Sequence, residues 1–213
     1  MALCLAVAAT LALAACGDDE DSSTSAAQTA GCSEVAQPEP KQVKLKRPSL
    51  KPPPEGTRAV FATNCGGFTV ELDTSRAPRT AASFAYLVEE GVYDGTPFHR
   101  VAAAPPIVQG GDPEGTGLGG PGYFVDEPPP PNLSYTKGTV AMAKTAADPP
   151  GRSGSQFFVV TGADAGLPPD YALAGKVVDG MDTIYAIEAL GPPSSDGPPS
   201  QPVVIEEATL EGA

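Results

Sequence analysis

The stretch Arg58-Ala59-Val60-Phe61-Ala62-Thr63-Asn64-Cys65-Gly66-Gly67-Phe68-Thr69-Val70-Glu71-Leu72-Asp73 holds two short apolar runs on either side of an Asn/Gly-rich reversal. Asn and Gly tolerate the left-handed backbone of a tight turn, so the stretch predicts a hairpin of strands Arg58–Thr63 and Phe68–Asp73 joined by residues 64–67. The same punctuation recurs further along. Runs at Phe98–Ala102, Ile107–Gln109, Thr139–Ala143, Gln156–Thr161, Leu173–Val178 and Pro202–Leu210 are separated by Gly, Pro and Asp. Strands of this number and spacing predict a mainly β fold, an eight-stranded antiparallel barrel that closes on itself. Two segments depart from it with a helical period. Pro78 precedes Phe84, Leu87 and Val88 at i, i+3, i+4 spacing, with Gly91 as a stop; Met181, Ile184 and Tyr185 repeat the spacing before Gly191-Pro192-Pro193. The two helices are expected to cap the barrel, one at each end.

Upstream of Arg58 the composition changes. Ala2–Ala15 is an uncharged Ala/Leu/Val run, too short to span a bilayer comfortably, and reads as a signal-peptide core over residues 1–15. No basic stretch precedes it, so the natural start is expected upstream of Met1. Its end, Leu13-Ala14-Ala15-Cys16, resembles the bacterial lipobox, which makes Cys16 the expected lipid carrier and membrane anchor. A secretory signal without lipid is the other reading. Residues 16–56 run from acidic (Asp18, Asp19, Glu20, Asp21) through Ser/Thr/Ala to a Lys- and Pro-rich stretch, and are expected as a disordered tether that builds no core. Its basic half could rest on anionic lipid, though a solvated linker is the plainer expectation. The active domain is then 57–213. With Cys4 removed and Cys16 lipidated, Cys32 and Cys65 are left as a disulfide candidate suited to an exported protein. Closing their loop would stabilise the fold by about 3–4 kcal/mol.

Charge and residue inventory exclude several chemistries. Thirteen Lys+Arg against 26 Asp+Glu give a net charge of -13 and a pI near 4.3, which repels nucleic-acid phosphates. The one histidine, His99, and the lack of a G-x-S-x-G elbow leave no triad hydrolase, and a zinc site lacks ligands. Gly115-Thr116-Gly117-Leu118-Gly119-Gly120 matches the dinucleotide fingerprint, but Pro121 and Gly122 stand where its helix must begin. It is expected as a turn-rich loop.

What remains is an ordered series: Phe98-His99-Arg100, Val108-Gln109-Gly110-Gly111-Asp112, Gly119-Gly120-Pro121-Gly122-Tyr123, Met142-Ala143 and Gly154-Ser155-Gln156-Phe157-Phe158. Together with Gly175–Met181 it resembles the cyclophilin family of peptidyl-prolyl cis-trans isomerases from about Arg58 to Leu210. The resemblance implies an eight-stranded barrel with two helices, no cofactor, no metal, and Pro-containing polypeptides as substrate. Arg100 matches the family's catalytic arginine and Gln109 the glutamine that binds peptide and holds that arginine. Phe158, Ile107, Leu167 and Met142 match residues around the proline pocket, with core packing an even alternative for Met142. Ala143 and Lys144 match a strand whose backbone pairs with peptide, so the Lys144 side chain is expected to matter little. His99 is expected to be structural, since rotation about a bond needs no proton transfer.

The departures also carry expectations. Pro106 stands where many members have a pocket Phe, which predicts a looser pocket floor. Gly166 and Tyr171 replace the Trp and His of cyclosporin-sensitive members, which predicts weak binding of that drug. Tyr171 is still counted with the substrate-binding residues. Ala147–Arg152 looks like an insertion beside the neighbouring pocket. The sequence thus implies a monomeric isomerase anchored outside the cytoplasm and acting on exported proteins. A low-activity peptide-binding or chaperone module and a purely structural surface lipoprotein are the rivals.

Overall fold

The computed structural model describes Met1 and residues 31–212. The expected signal segment, Cys16 and the first part of the tether lie outside the described residues. The elements are β1 (Arg58–Thr63), β2 (Gly66–Leu72), α1 (Pro78–Glu89), β3 (Thr96–Pro97), β4 (Arg100–Ala103), β5 (Pro106–Gly110), β6 (Val125–Asp126), β7 (Thr139–Met142), β8 (Arg152–Ser153), β9 (Phe157–Val160), β10 (Leu173–Asp179), α2 (Met181–Ala189), β11 (Asp196–Gly197) and β12 (Val204–Glu211).

The opening hairpin forms with a tighter turn than the sequence suggests. Thr63 faces Gly66 and Phe61 faces Phe68, so Asn64-Cys65 alone make the reversal and both glycines belong to β2. Gly66 has φ of 114°, a region closed to most side chains. The Phe61 and Phe68 rings stack at 4.7 Å, cross-strand partners on the buried face.

Ten strands form one curled antiparallel sheet in the order β11-β4-β5-β9-β7-β10-β2-β1-β12-β3, and β6 pairs with β8 separately. β3 and β4 are the halves of one bent segment. Phe98 N–H donates to Val203 O at 2.8 Å and His99 N–H to Gln109 O at 3.1 Å, so this segment touches both β12 and β5. The sheet returns on itself there. Counting β3 with β4 and setting β11 aside leaves eight strands, β3/β4, β5, β9, β7, β10, β2, β1 and β12. Among the described residues the count is nonetheless twelve, because β3, β6, β8 and β11 are two residues each and too short to carry a readable alternation.

The interior is aromatic: Phe61, Phe68, Phe84, Tyr93, Phe98 and Phe157 are buried together. α1 supplies Phe84, Leu87 and Val88 as its spacing predicts. α2 instead turns Ile184 and Ile187 inward, so the expected stripe is rotated and Tyr185 is only half-buried. Ala77 cannot cap α1, and a distant carboxylate does so: Glu127 accepts from the N–H groups of Arg79 (3.1 Å) and Thr80 (2.6 Å) and from the Thr80 hydroxyl (2.7 Å).

The largest departure lies in 31–56, expected as a free tether. It lies against the domain. Cys32 and Cys65 are joined by a disulfide with sulfurs 1.96 Å apart. Ser33 N–H donates to Asn64 O, Lys41 N–H to Pro113 O and Leu45 N–H to Pro121 O, each at 2.8 Å. Val43, Leu45 and Leu50 pack on the core. Half-buried residues recur at Cys32, Val35 and Pro38, every third residue as in an extended Pro-rich chain, then at Val43 and Leu45, every second. Sparse apolar residues thus suffice once the domain offers the partner surface. Among the described residues no helix is long and apolar enough to cross a membrane.

Candidate active site

Neighbouring strands carry Arg100, Gln109, Phe158 and Ala141 in register: Arg100 faces Gln109, Gln109 faces Phe158, and Phe158 faces Ala141. Residues opposite one another in an antiparallel ladder share a face of the sheet. The alternation then sorts the rest. Val108, Val140, Met142, Phe157 and Val159 belong to the interior core, whereas Ala102, Ile107, Ala141, Phe158 and Val160 form a second cluster on the opposite face with Tyr135. Met142, matched to the pocket by resemblance, therefore lies in the core, since its neighbours Ala141 and Ala143 take the other face.

On that face a cavity of about 440 Å³ is lined by Arg100, Ile107, Gln109, Ala143, Phe158 and Leu167, and also by Lys144 and Tyr171. Arg100 is held from two sides. Its Nε donates to Asp196 Oδ1 (2.8 Å), its Nη2 to Asp196 Oδ2 (2.6 Å) and its Nη1 to Gln109 Oε1 (2.7 Å). The hydrogen bond from Arg100 holds the Asp196 carboxyl below its ordinary value, outweighing a smaller upward effect of burial. Gln109 Nε2 in turn donates to Gln156 Oε1 (3.0 Å), and Gln156 Nε2 to Gly119 O (2.9 Å). A single relay of amides thus runs from the guanidinium to the Gly-rich loop.

That loop is wound around a buried carboxylate. Asp112 accepts from the N–H groups of Glu114 (2.8 Å), Gly117 (2.5 Å) and Gly119 (3.2 Å). A Cβ on Gly119 would come within 2.0 Å of Asp112 Oδ1, so the glycines serve the approach of backbone to carboxylate and not of backbone to a phosphate.

The opposite wall also departs from expectation. Lys144, expected to act through its backbone alone, has its side chain buried, with Nζ 2.7 Å from Asp170 and 5.5 Å from the centre of the Tyr171 ring. Tyr171 meets Phe158 edge to face at 5.4 Å. Tyr135 fixes the Tyr171 backbone by donating to its carbonyl (2.6 Å) and accepting from its N–H (2.9 Å), and burial pushes the Tyr135 phenol up to about 12. Pro106 packs on Gly162 and Pro105 lines the cavity in its place, so the floor is supplied by the neighbour of the expected residue. Gly166 lies in an exposed loop with φ of 64° and Leu167 reaches the cavity from it. His99 lines the cavity too, and among the described residues neither ring nitrogen has a hydrogen-bond partner; burial lowers its pKa against the opposing pull of Asp112. Among the described residues no cluster of three His, Cys, Asp or Glu could hold a metal.

Sequence reasoning missed Asp196, Asp170 and Tyr135 and gave Gln156 no role of its own. Each acts through a fold contact 26 or more residues away from its partner, with no local pattern to mark it.

A family model described as cyclophilin type peptidyl-prolyl cis-trans isomerase/CLD matches residues 58–210. A probable peptidyl-prolyl cis-trans isomerase B of Mycobacterium leprae is 38% identical over 175 residues, 74% of this chain and 58% of that protein. The chain therefore spans well under two thirds of that relative. Peptidyl-prolyl cis-trans isomerase-like 1 of Gibberella zeae is 35% identical over 159 residues, 73% of this chain and 96% of that one. The crystal structure of a Cryptosporidium parvum cyclophilin type isomerase, determined in the presence of the dipeptide Ala-Pro, superposes with a TM-score of 0.65 at 31% identity, covering 73% of this chain and 99% of that one. The chain belongs to the cyclophilin-type peptidyl-prolyl cis-trans isomerase family.

Proposed function

We propose that the chain is a peptidyl-prolyl cis-trans isomerase acting on X-Pro bonds. The observation that carries this is the guanidinium of Arg100, fixed by Asp196 and Gln109 at the rim of a cavity with an apolar wall of Ile107, Phe158 and Leu167. The X-Pro amide resists rotation with a barrier of ~18–20 kcal/mol because its C–N bond has double-bond character. When the bond twists, resonance is lost and the prolyl nitrogen becomes a hydrogen-bond acceptor. A donor already aimed at it binds the twisted state better than the planar one, and that difference lowers the barrier. The apolar wall of Ile107, Phe158 and Leu167 would hold the proline ring while the remainder turns. Ala143 and Lys144 offer backbone to an extended peptide beside it. No proton moves and no covalent intermediate forms.

The setting proposed for this activity is the outer side of the cytoplasmic membrane, on exported chains, with the protein a monomer anchored through lipid on Cys16. The apolar run before Leu13-Ala14-Ala15-Cys16 supports it, as does a disulfide in the folded domain. Incorporation of labelled fatty acid into the wild-type chain but not Cys16→Ser tests it.

The activity is tested by the cis-to-trans exchange of an Ala-Pro peptide with the full-length chain. Arg100→Ala is expected to lower kcat/KM by about 100-fold, the scale of removing a transition-state donor. Arg100→Lys should fail as well, because the three donors of an ammonium diverge from one nitrogen and cannot reproduce the planar fork that bonds Asp196 and Gln109 through separate nitrogens. Equal rates in wild type and Arg100→Ala would end the proposal; peptide binding without acceleration would leave a binding module.

A further inference from the structure

Resting on that proposed site, we infer that the segment Lys41–Leu45 is a wall of the substrate cleft and that Val43 is a specificity-determining residue, selecting an apolar side chain on one flank of the X-Pro bond. A second cavity of about 470 Å³ adjoins the first and shares Gln109, Gly117, Ala143 and Lys144 with it, so a polypeptide seated in one runs into the other. Val43 lines this second cavity together with Leu118 and Phe124, which leave 87% and 58% of their surface exposed. Large apolar side chains left bare around one hollow mark a surface that gains by covering. The covering group is a side chain of the same substrate, because the hollow is continuous with the proline cavity.

Val43 comes from outside residues 58–210, the part of the chain that matches the family model. It is nonetheless built into the cleft. Lys41 N–H donates to Pro113 O and Leu45 N–H to Pro121 O, bracketing Val43 and stitching its segment to both ends of the Gly-rich loop. The Lys41 ammonium binds Asp94 O. At Gly122 a Cβ would come 3.1 Å from Lys44 Cα, so the segment lies directly on the loop backbone. The disulfide from Cys32 to Cys65 fastens the chain upstream. A side chain thus bracketed and clamped presents a fixed face to whatever fills the cavity.

The test uses the full-length chain and two Pro peptides series, one varied from Gly to Leu on the N-terminal flank of the X-Pro pair and one on the C-terminal flank. Both kcat/KM and Kd are read for every peptide. Wild type is expected to favour Leu over Gly about tenfold on one flank, the scale of an apolar side chain entering a hydrophobic pocket. Val43→Asp, which places a charge there, and Val43→Phe, which fills the space, should each bring that ratio close to unity, with thermal unfolding as the check that both fold. Unchanged ratios in both folded variants would overturn the inference. Binding without turnover would overturn only the isomerase proposal, since the Kd ratios still decide the role of Val43; no binding of any peptide would overturn both.

Discussion

Among the described residues Arg100 uses one N–H on each of its three nitrogens to fix its own plane, which leaves one on Nη1 and one on Nη2 for a ligand. That makes Asp196 a positioning residue. Its carboxyl is held below the ordinary 3.8, so the pair is complete above that value and is lost as pH falls through the lowered pKa; the orientation of Arg100 is therefore constant across neutral pH. His99 carries the same sign, but from a higher ordinary value, within reach of ordinary buffers. Burial depresses its pKa below 6.5, so the unfolded chain binds more protons than the folded one, and stability is full above 6.5 and falls as pH drops through the folded value. Urea unfolding at a series of pH values should show this slope, and His99→Gln should remove it. As the chain has one histidine, its NMR titration is unambiguous; a pKa at or above 6.5 would contradict the account. At this scale the sequence motifs carried Arg100, Gln109, Phe158, Ile107 and Leu167 to one cavity. For Met142 the core alternative holds, because a motif match does not fix which face of a strand a residue takes, and the period of two does.

The elements explain how such a site is held with so little regular structure. β4, β5, β9 and β7 are each four or five residues, so register between them is what aligns Arg100, Gln109 and Phe158. The long strands were legible from their alternation; the two-residue β11 was not, although it brings Asp196 beside β4 through the pair Asp196–Ala102. α1 shows the same limit. Pro78 and the Phe84, Leu87, Val88 stripe announce the helix, yet nothing near Ala77 reveals that its cap is Glu127, 47 residues beyond Thr80. A carboxylate accepting from two N–H groups at a helix start satisfies orphan donors and meets the positive end of the dipole. Glu127→Ala is expected to lower stability by about 1–2 kcal/mol, the range for loss of a cap. Urea titration measures it, and a change below a few tenths of a kcal/mol would mean that water replaces the carboxylate without loss.

For the molecule as a whole, the informative error is the tether. Composition alone gave a Pro- and Lys-rich linker without enough apolar residues for a core, which is true of the segment in isolation and irrelevant once the domain supplies the other half of the contact. The Cys32–Cys65 link was open to cysteine arithmetic, whereas the lie of 33–50 along the domain was not, because its half-buried residues change spacing from every third at Val35 and Pro38 to every second at Val43 and Leu45 and keep no one period. The disulfide and the contacts of Val43, Leu45 and Leu50 should act together. The link keeps the segment near its docking surface, and the contacts hold it in place. Cys32→Ser with Cys65→Ser removes the link without leaving either half of the pair as a free thiol, and is expected to lower stability by about 2–4 kcal/mol, as for other native disulfides closing loops of this length. Hydrogen exchange gives the finer test: the Ser33 amide, next to Cys32 and bonded to Asn64 O in the turn, should lose protection first, followed by Lys41 and Leu45. If all three amides stay as protected as in wild type while stability falls, the link acts only on the unfolded chain and the segment docks by its own contacts.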